Sequence, residues 1–263
     1  MRLFWEISKL AFQRQLTYRA ATLAGLATNF FFGMLRASVL IALFHGQSEV
    51  AGMTITDAIT YTALTQSAIA LLSLFSWYEV MDSVYSGAVS SDMLKPMSYF
   101  NFWLAQDTGR AAASFILRGL TIIFAYALFF ELSYPQDLNQ WVAFIIVLLL
   151  SWLISFSWRF LVNLAAFWTP NALGIGRLAF ILSWFLSGFF MPLRFFPEWF
   201  VKLCYLTPFP YTINAVVEVY LGLIDGNALV GIILAQIAWI LLLVLAGMVT
   251  LRAGVRRLEI LGG

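Results

Sequence analysis

Residues 142–154 read VAFIIVLLLSWLI, an apolar run without a charged side chain, and the apolar stretch around it extends over residues 141–168 with Trp141 and Trp168 at its ends. A spanning helix needs roughly 20 mostly apolar residues, because each adds ~1.5 Å against a hydrocarbon layer ~30 Å thick. Tryptophans at the ends of such a run act as interface anchors. The rest of the chain has the same character. Of its 263 residues, 62% are hydrophobic and 11% are charged, against roughly a quarter charged in an ordinary soluble domain. Such a chain cannot cover a water-facing surface. The expected class is an all-α integral membrane protein, whose backbone groups are satisfied within helices.

Working outward, the sequence holds six apolar segments long enough to cross: residues 20–44, 56–78, 103–130, 141–168, 172–191 and 228–251. The second is diluted by Thr60, Thr62, Thr65, Gln66 and Ser67, which are tolerated where they face other helices. No repeat or low-complexity linker divides the chain, so residues 1–263 are expected to form one transmembrane domain. Lysines and arginines set its orientation. With the N-terminus inside, Arg2, Lys9, Arg14, Arg19, Lys95, Arg110, Arg177, Arg252, Arg256 and Arg257 fall on or near the inner side, leaving Arg194 and Lys202 outside. The positive-inside rule then predicts both termini in the cytoplasm. Residues 1–18 carry Arg2, Glu6, Lys9 and Gln13 at helical spacing opposite Leu3, Phe4, Ile7, Leu10 and Ala11, the pattern of an amphipathic interfacial helix. No secretory leader pattern is expected there.

Several chemistries are excluded by what is missing. The chain has no phosphate-binding G-x-x-x-x-G-K-[ST] loop, its one histidine is His45 and its one cysteine is Cys204. A His-based metal centre, a cysteine metal site and an intrachain disulfide are therefore not expected. No catalytic residue is assigned, and the net charge of +2 does not point to nucleic acid.

Three groups of residues carry information. Residues 85–100, YSGAVSSDMLKPMSYF, are polar and punctuated by Gly87 and Pro96. Ser90 or Ser91 can cap a short helix, with Asp92 favourable near its N-terminus, Met93 and Leu94 as exposed apolar knobs, and Lys95–Pro96 as its stop. This segment reads either as a solvated connection or as a projection that fills a cleft on a soluble partner. Residues 187–222 are apolar and aromatic yet broken by Gly188, Pro192, Pro197, Pro208 and Pro210, with Trp199 among them. Two short helices, over residues 197–206 and 211–221, dipping into the outer leaflet as a re-entrant hairpin satisfy both constraints. They either gate a path or brace the fifth and sixth spans. Finally, Arg36, Arg118 and Arg159 lie within spans, where charges are costly and face a bundle interior, a cavity or an ion pair. They are candidates for a translocation path or for structural pairs; Asp107, Arg110, Ser114 and Arg118 share one face of the third span.

The sequence resembles the membrane subunits of type-2 ABC exporters, closest to a bacterial branch of small permeases without their own ATPase domain. GAVSSDMLKPMSY at residues 87–99 is similar to that branch's Gly…Leu-(Arg/Lys)-Pro-x-Ser-Tyr loop. SGFFMPLRFFPEWF at residues 187–200, followed by PFPY at residues 208–211, resembles its broken outer hairpin. RRLEILGG at residues 256–263 resembles its basic tail, with Leu261 where Gln is more usual. The resemblance implies a bacterial cytoplasmic membrane location and pairing with a second, identical or paralogous permease. It also implies two separate cytoplasmic ABC ATPases that bind the ATP and Mg. Gly87, Ser90, Ser91, Asp92, Met93, Leu94, Lys95 and Pro96 would couple to an ATPase, aided by residues 1–18. Gly188, Pro192, Pro197, Trp199, Pro208 and Pro210 would gate the outer end for an amphiphilic cargo such as a drug, lipid-linked glycan or peptide. The competing class is a carrier or channel driven by an ion gradient.

Overall fold

The polar second segment turns out to be the core of the fold. Helix α3 (Ile55–Leu72) is buried on every side over residues 58–67 in the computed structural model, which describes residues 2–17, 19–74, 77–169 and 172–257. Its buried threonine hydroxyls are satisfied within the helix: Thr60 donates to the Thr56 carbonyl at 2.8 Å, Thr62 to that of Ala58 at 3.0 Å and Thr65 to that of Tyr61 at 2.9 Å. The hydroxyls therefore cost little when buried. Thr54 starts the helix in a reciprocal capping box with Asp57. The helix is reached from α1 (Arg2–Leu16) and α2 (Arg19–Leu43) through a hairpin of two short strands, β1 (Glu49–Val50) and β2 (Met53–Thr54). These are the strands found among the described residues. Ala51 and Gly52, with φ of 51° and 76°, turn it.

Around α3 stand longer helices. Four stretches among the described residues are long and apolar enough to cross a membrane: Leu23–Leu43, Tyr99–Phe129, Leu138–Phe167 and Gly226–Val255. The second joins α6 (Tyr99–Ser114) to α7 (Leu120–Phe129) through a π-helical turn at Phe115–Gly119. The third is α8 (Leu138–Asn163) with a 3-10 extension, and the fourth lies in α12 (Gly226–Val255).

The other two expected spans are shorter than their apolar runs. α3 ends at Leu72 because Ser73 takes a left-handed backbone, φ 49°, where residues 56–78 read as one span. The chain resumes as α4 (Glu79–Tyr85) and α5 (Val89–Met93). The fifth helix, α9 (Leu173–Leu186), stops short of residue 191 because Gly188 turns the chain at φ 79°. It leads to α10 (Glu198–Tyr205) and α11 (Asn214–Tyr220), close to the two short helices read from the prolines. Tyr18, the end of the expected N-terminal helix, and residues 258–263 of the basic tail lie outside the described residues.

Helix α1 does more than float in an interface. It packs on α6 at Gly109, where a β-carbon would run into the Ser8 carbonyl oxygen and come within 2.8 Å of the Phe12 nitrogen. Ser8 Oγ also donates to the Ala105 carbonyl at 2.9 Å. The docked face is thus Ser8 and Ala11, both buried, while Trp5 and Leu10 on its flanks stay exposed.

Candidate functional site

The segment over residues 85–100 folds as a small scaffold with one projecting side chain. Gly87, φ 75°, supplies the turn after α4, and Ser98 starts α6 by accepting from the Asn101 N–H. Neither Ser90 nor Ser91 caps α5. Its N-cap position is Ala88, without a side-chain bond, and Ser91 Oγ donates back to the Ala88 carbonyl at 2.8 Å. A five-residue helix following a tight turn has its preceding turn to satisfy it, so a capping hydroxyl is not needed. Asp92 is buried instead, accepting from Ser83 Oγ at 2.6 Å and from Lys95 Nζ at 2.6 Å. Lys95 lies 3.5 Å above the Phe102 ring, a cation–π contact. Met93 is a second correction: it packs with Trp77, Val89, Tyr99 and Phe102 rather than projecting. Leu94 alone of the two knobs is free, at 86% exposure. Pro96 is exposed beside it.

Just above this scaffold lies a closed ion cluster. Asp107 on α6 receives both terminal nitrogens of Arg159, at 3.0 and 2.9 Å, and Arg110 Nε at 2.8 Å. Trp152 Nε1 donates to it at 2.9 Å. Arg110 also donates to the Leu71 carbonyl at 3.1 Å, and Ser155 to that of Leu72 at 2.9 Å. These are the last carbonyls of α3, the negative end of its dipole, so the cationic side chain both caps and neutralises them. Arg159 is 1% exposed. It therefore belongs to a buried pair. Glu79, at the start of α4 and near this cluster, has its carboxyl pushed above the ordinary range by burial, with Arg110 opposing that shift.

The other two arginines are differently placed. Arg36 on α2 donates to the Phe189 carbonyl at 2.5 Å, to the Thr62 carbonyl at 3.2 Å and to Thr65 Oγ1. Its partners are all neutral, and its guanidinium lies 4.8 Å from the Phe189 ring centre. Arg118 sits on the π-helical turn with its guanidinium against α2 at Gly25. No hydrogen bond or ion pair is made by it among the described residues.

The broken hairpin after α9 is fastened tightly. Asn214 is the hub: its Oδ1 accepts from the Leu193 N–H at 2.8 Å, its Nδ2 donates to Tyr205 Oη at 3.2 Å, and its backbone N–H donates to the Ser187 carbonyl at 3.1 Å. Tyr61 Oη, from the middle of α3, donates to the Gly188 carbonyl at 2.6 Å. A β-carbon at 188 would meet that hydroxyl at 2.8 Å. Arg194 pairs with Glu218 at 2.8 Å. All seven residues of α11 are buried. Pro192 precedes the Leu193–Phe195 turn, Pro197 precedes α10, and Pro208 and Pro210 are buried in the link to α11. Trp199 on α10 is 68% exposed.

A family model described as ABC-2 family transporter protein matches residues 30–262, from the middle of α2 to the tail. The chain belongs to this family. It is the membrane component of an ABC transporter, a multi-pass permease. No curated protein and no solved structure gives a match to it. The residues that build the permease's sites but escaped sequence reading are Asn214, Tyr61, Trp152 and Gly109.

Proposed function

We propose that this permease is half of the membrane part of an ATP-driven exporter. A second permease, identical or paralogous, completes the path, and two separate cytoplasmic ATPases bind the ATP and Mg. In this reading the chain crosses a bacterial cytoplasmic membrane six times, with α3 and α9 as the shorter crossings and both termini inside. Residues 85–100 seat in an ATPase groove, and residues 187–222 close the outer end. The cargo class, amphiphilic molecules, follows from the family resemblance.

One observation carries this reading: Leu94 projects, 86% exposed, from a scaffold whose other members are pinned by Asp92, Lys95 and Met93. A bare connector has no reason to hold an apolar side chain rigidly in water. Such a knob fits the buried centre of an interface, where a few apolar anchors dominate binding. The pinning also lets a push on α5 reach Phe102 on α6 through Lys95. The test is co-purification of an ATPase subunit with the full chain. Leu94→Asp is expected to abolish it while changing stability by no more than about 0.5 kcal/mol, as for a surface substitution. Transport by the purified chain alone, driven by an ion gradient, overturns the proposal in favour of a secondary carrier.

A further inference from the structure

Two guanidiniums in the apolar part of the protein meet no carboxylate, and both face one line along α2. Arg36 spends its terminal nitrogens on neutral oxygens, and its buried Nε has no partner. Across from it, Gln66 is 3% exposed and its Oε1 is also unpartnered. Both border a cavity of about 570 Å³ between α2, α3 and the end of α9, walled by Phe32, Val39, Trp184 and Phe190. Gly25, Asn29, Phe32 and Arg36 recur at helical spacing, so they share a face of α2. Arg118 lies against that face at Gly25. From Gly25 to Arg36 the helix rises roughly 16 Å, at ~1.5 Å per residue.

Unneutralised charge in this setting is costly, and such groups face a pathway, a cavity or an opposite charge. Among the described residues of the four long apolar helices, Asp107 is the one acid, and Arg110 and Arg159 already take it. Within those four helices no other acid is left to supply the missing negative charge. A ligand can. The cavity falls within the roughly 300–1,000 Å³ of small-molecule sites, and its aromatic and aliphatic wall suits an apolar body.

We propose that this cavity binds an amphiphile with an anionic head, carboxylate or phosphate, held by Arg36, with Arg118 as a second station for the head nearer the cytoplasmic side. That the ligand is cargo rests on the permease reading above, and so does the side assigned to Arg118; the binding itself does not. The π-helical turn that carries Arg118 fits this use, since such turns are frequent at functional sites.

The test uses the full chain in neutral maltoside micelles and the quenching of Trp184 by dibromostearate or by its uncharged methyl ester. Trp184→Phe gives the background from the other tryptophans. The acid is expected to bind about tenfold or more tighter than the ester, the order of one charged hydrogen bond. Arg36→Gln should erase the preference and Arg36→Lys should keep it. Arg118→Gln, which loses no partner, gives a second variant should Arg36→Gln fail to fold, and it should weaken the preference. Equal binding of acid and ester, or a preference that survives both glutamine variants together, overturns the site. A brominated phosphatidylglycerol separates the sources of the head group. Quenching by that lipid alone, lost in Arg36→Gln, supports the site with a bilayer lipid as its ligand, whereas quenching by the single-chain acid supports a smaller amphiphile. Loss of the preference with ATPase co-purification intact overturns this site alone; the reverse result overturns the ATPase-coupled exporter reading alone.

Discussion

Arg159 and Arg118 read alike in the sequence, each a cation inside an apolar stretch, yet their surroundings in the molecule differ. Arg159 is closed in with Asp107, Arg110 and Trp152, two guanidiniums sharing one carboxylate. Arg36 lines a cavity and Arg118 lies against α2 at Gly25, and neither pairs with a carboxylate among the described residues. The first region ties α3, α6 and α8 into one body. The second leaves positive charge for something that is not part of the chain. The difference teaches that a charge in a membrane helix has no role until its partner is found. Charge balance, more than position along the helix, separates scaffold from site.

The largest effect that can break this contrast is Arg159→Gln. It leaves Asp107 with one cation and the α3 end less well neutralised, and the loss expected for a broken buried pair is about 3–5 kcal/mol. Unfolding of the purified chain in mild detergent measures it; stability equal to wild type would remove the distinction between the two regions. Asn214→Ala is expected next, at about 1–3 kcal/mol, because the Leu193 N–H and Tyr205 hydroxyl lose a buried partner. Proteolysis near α10 reports it directly, since the hairpin should become cleavable. Arg118→Gln sharpens the contrast from the other side: with no partner to lose, its stability should shift by about 0.5 kcal/mol or less, the range of sites without special interactions.

The smallest effect is one of pH. Burial holds the Glu79 carboxyl above its ordinary range, so the folded chain keeps a proton that the unfolded chain has already released. This contribution to stability is full below the ordinary glutamate range and is lost as pH rises through the folded value. Unfolding measured along that window should show a shallow decline, flattened in Glu79→Gln. An unchanged slope in the variant would mean that Glu79 does not contribute.

Much of the architecture was legible from residues alone because hydrophobic runs report their own burial. The breaks in the hairpin between α9 and α12 were legible too, since proline and Gly188 act locally on the backbone. The C-terminal limit of α3 was not. Apolar residues continue past Leu72, and the left-handed turn at Ser73 that ends the helix is supported by a guanidinium and a hydroxyl from α6 and α8 that take its last carbonyls. The exposure of Met93 was misjudged for a similar reason. A short helix offers two apolar side chains, and only the neighbours Trp77 and Phe102 decide which one is covered.

The sequence by itself determined the solvent of this protein, the approximate number of its apolar helices and its membership of a transporter family. Composition and periodicity act locally and survive without coordinates. Only the tertiary structure decided which arginines meet a carboxylate, that the hydroxyl-rich α3 is the core, and that Leu94 projects while Met93 is covered. Those facts are pairings between residues tens of positions apart. Helix packing sets them, and no local pattern in the chain encodes it.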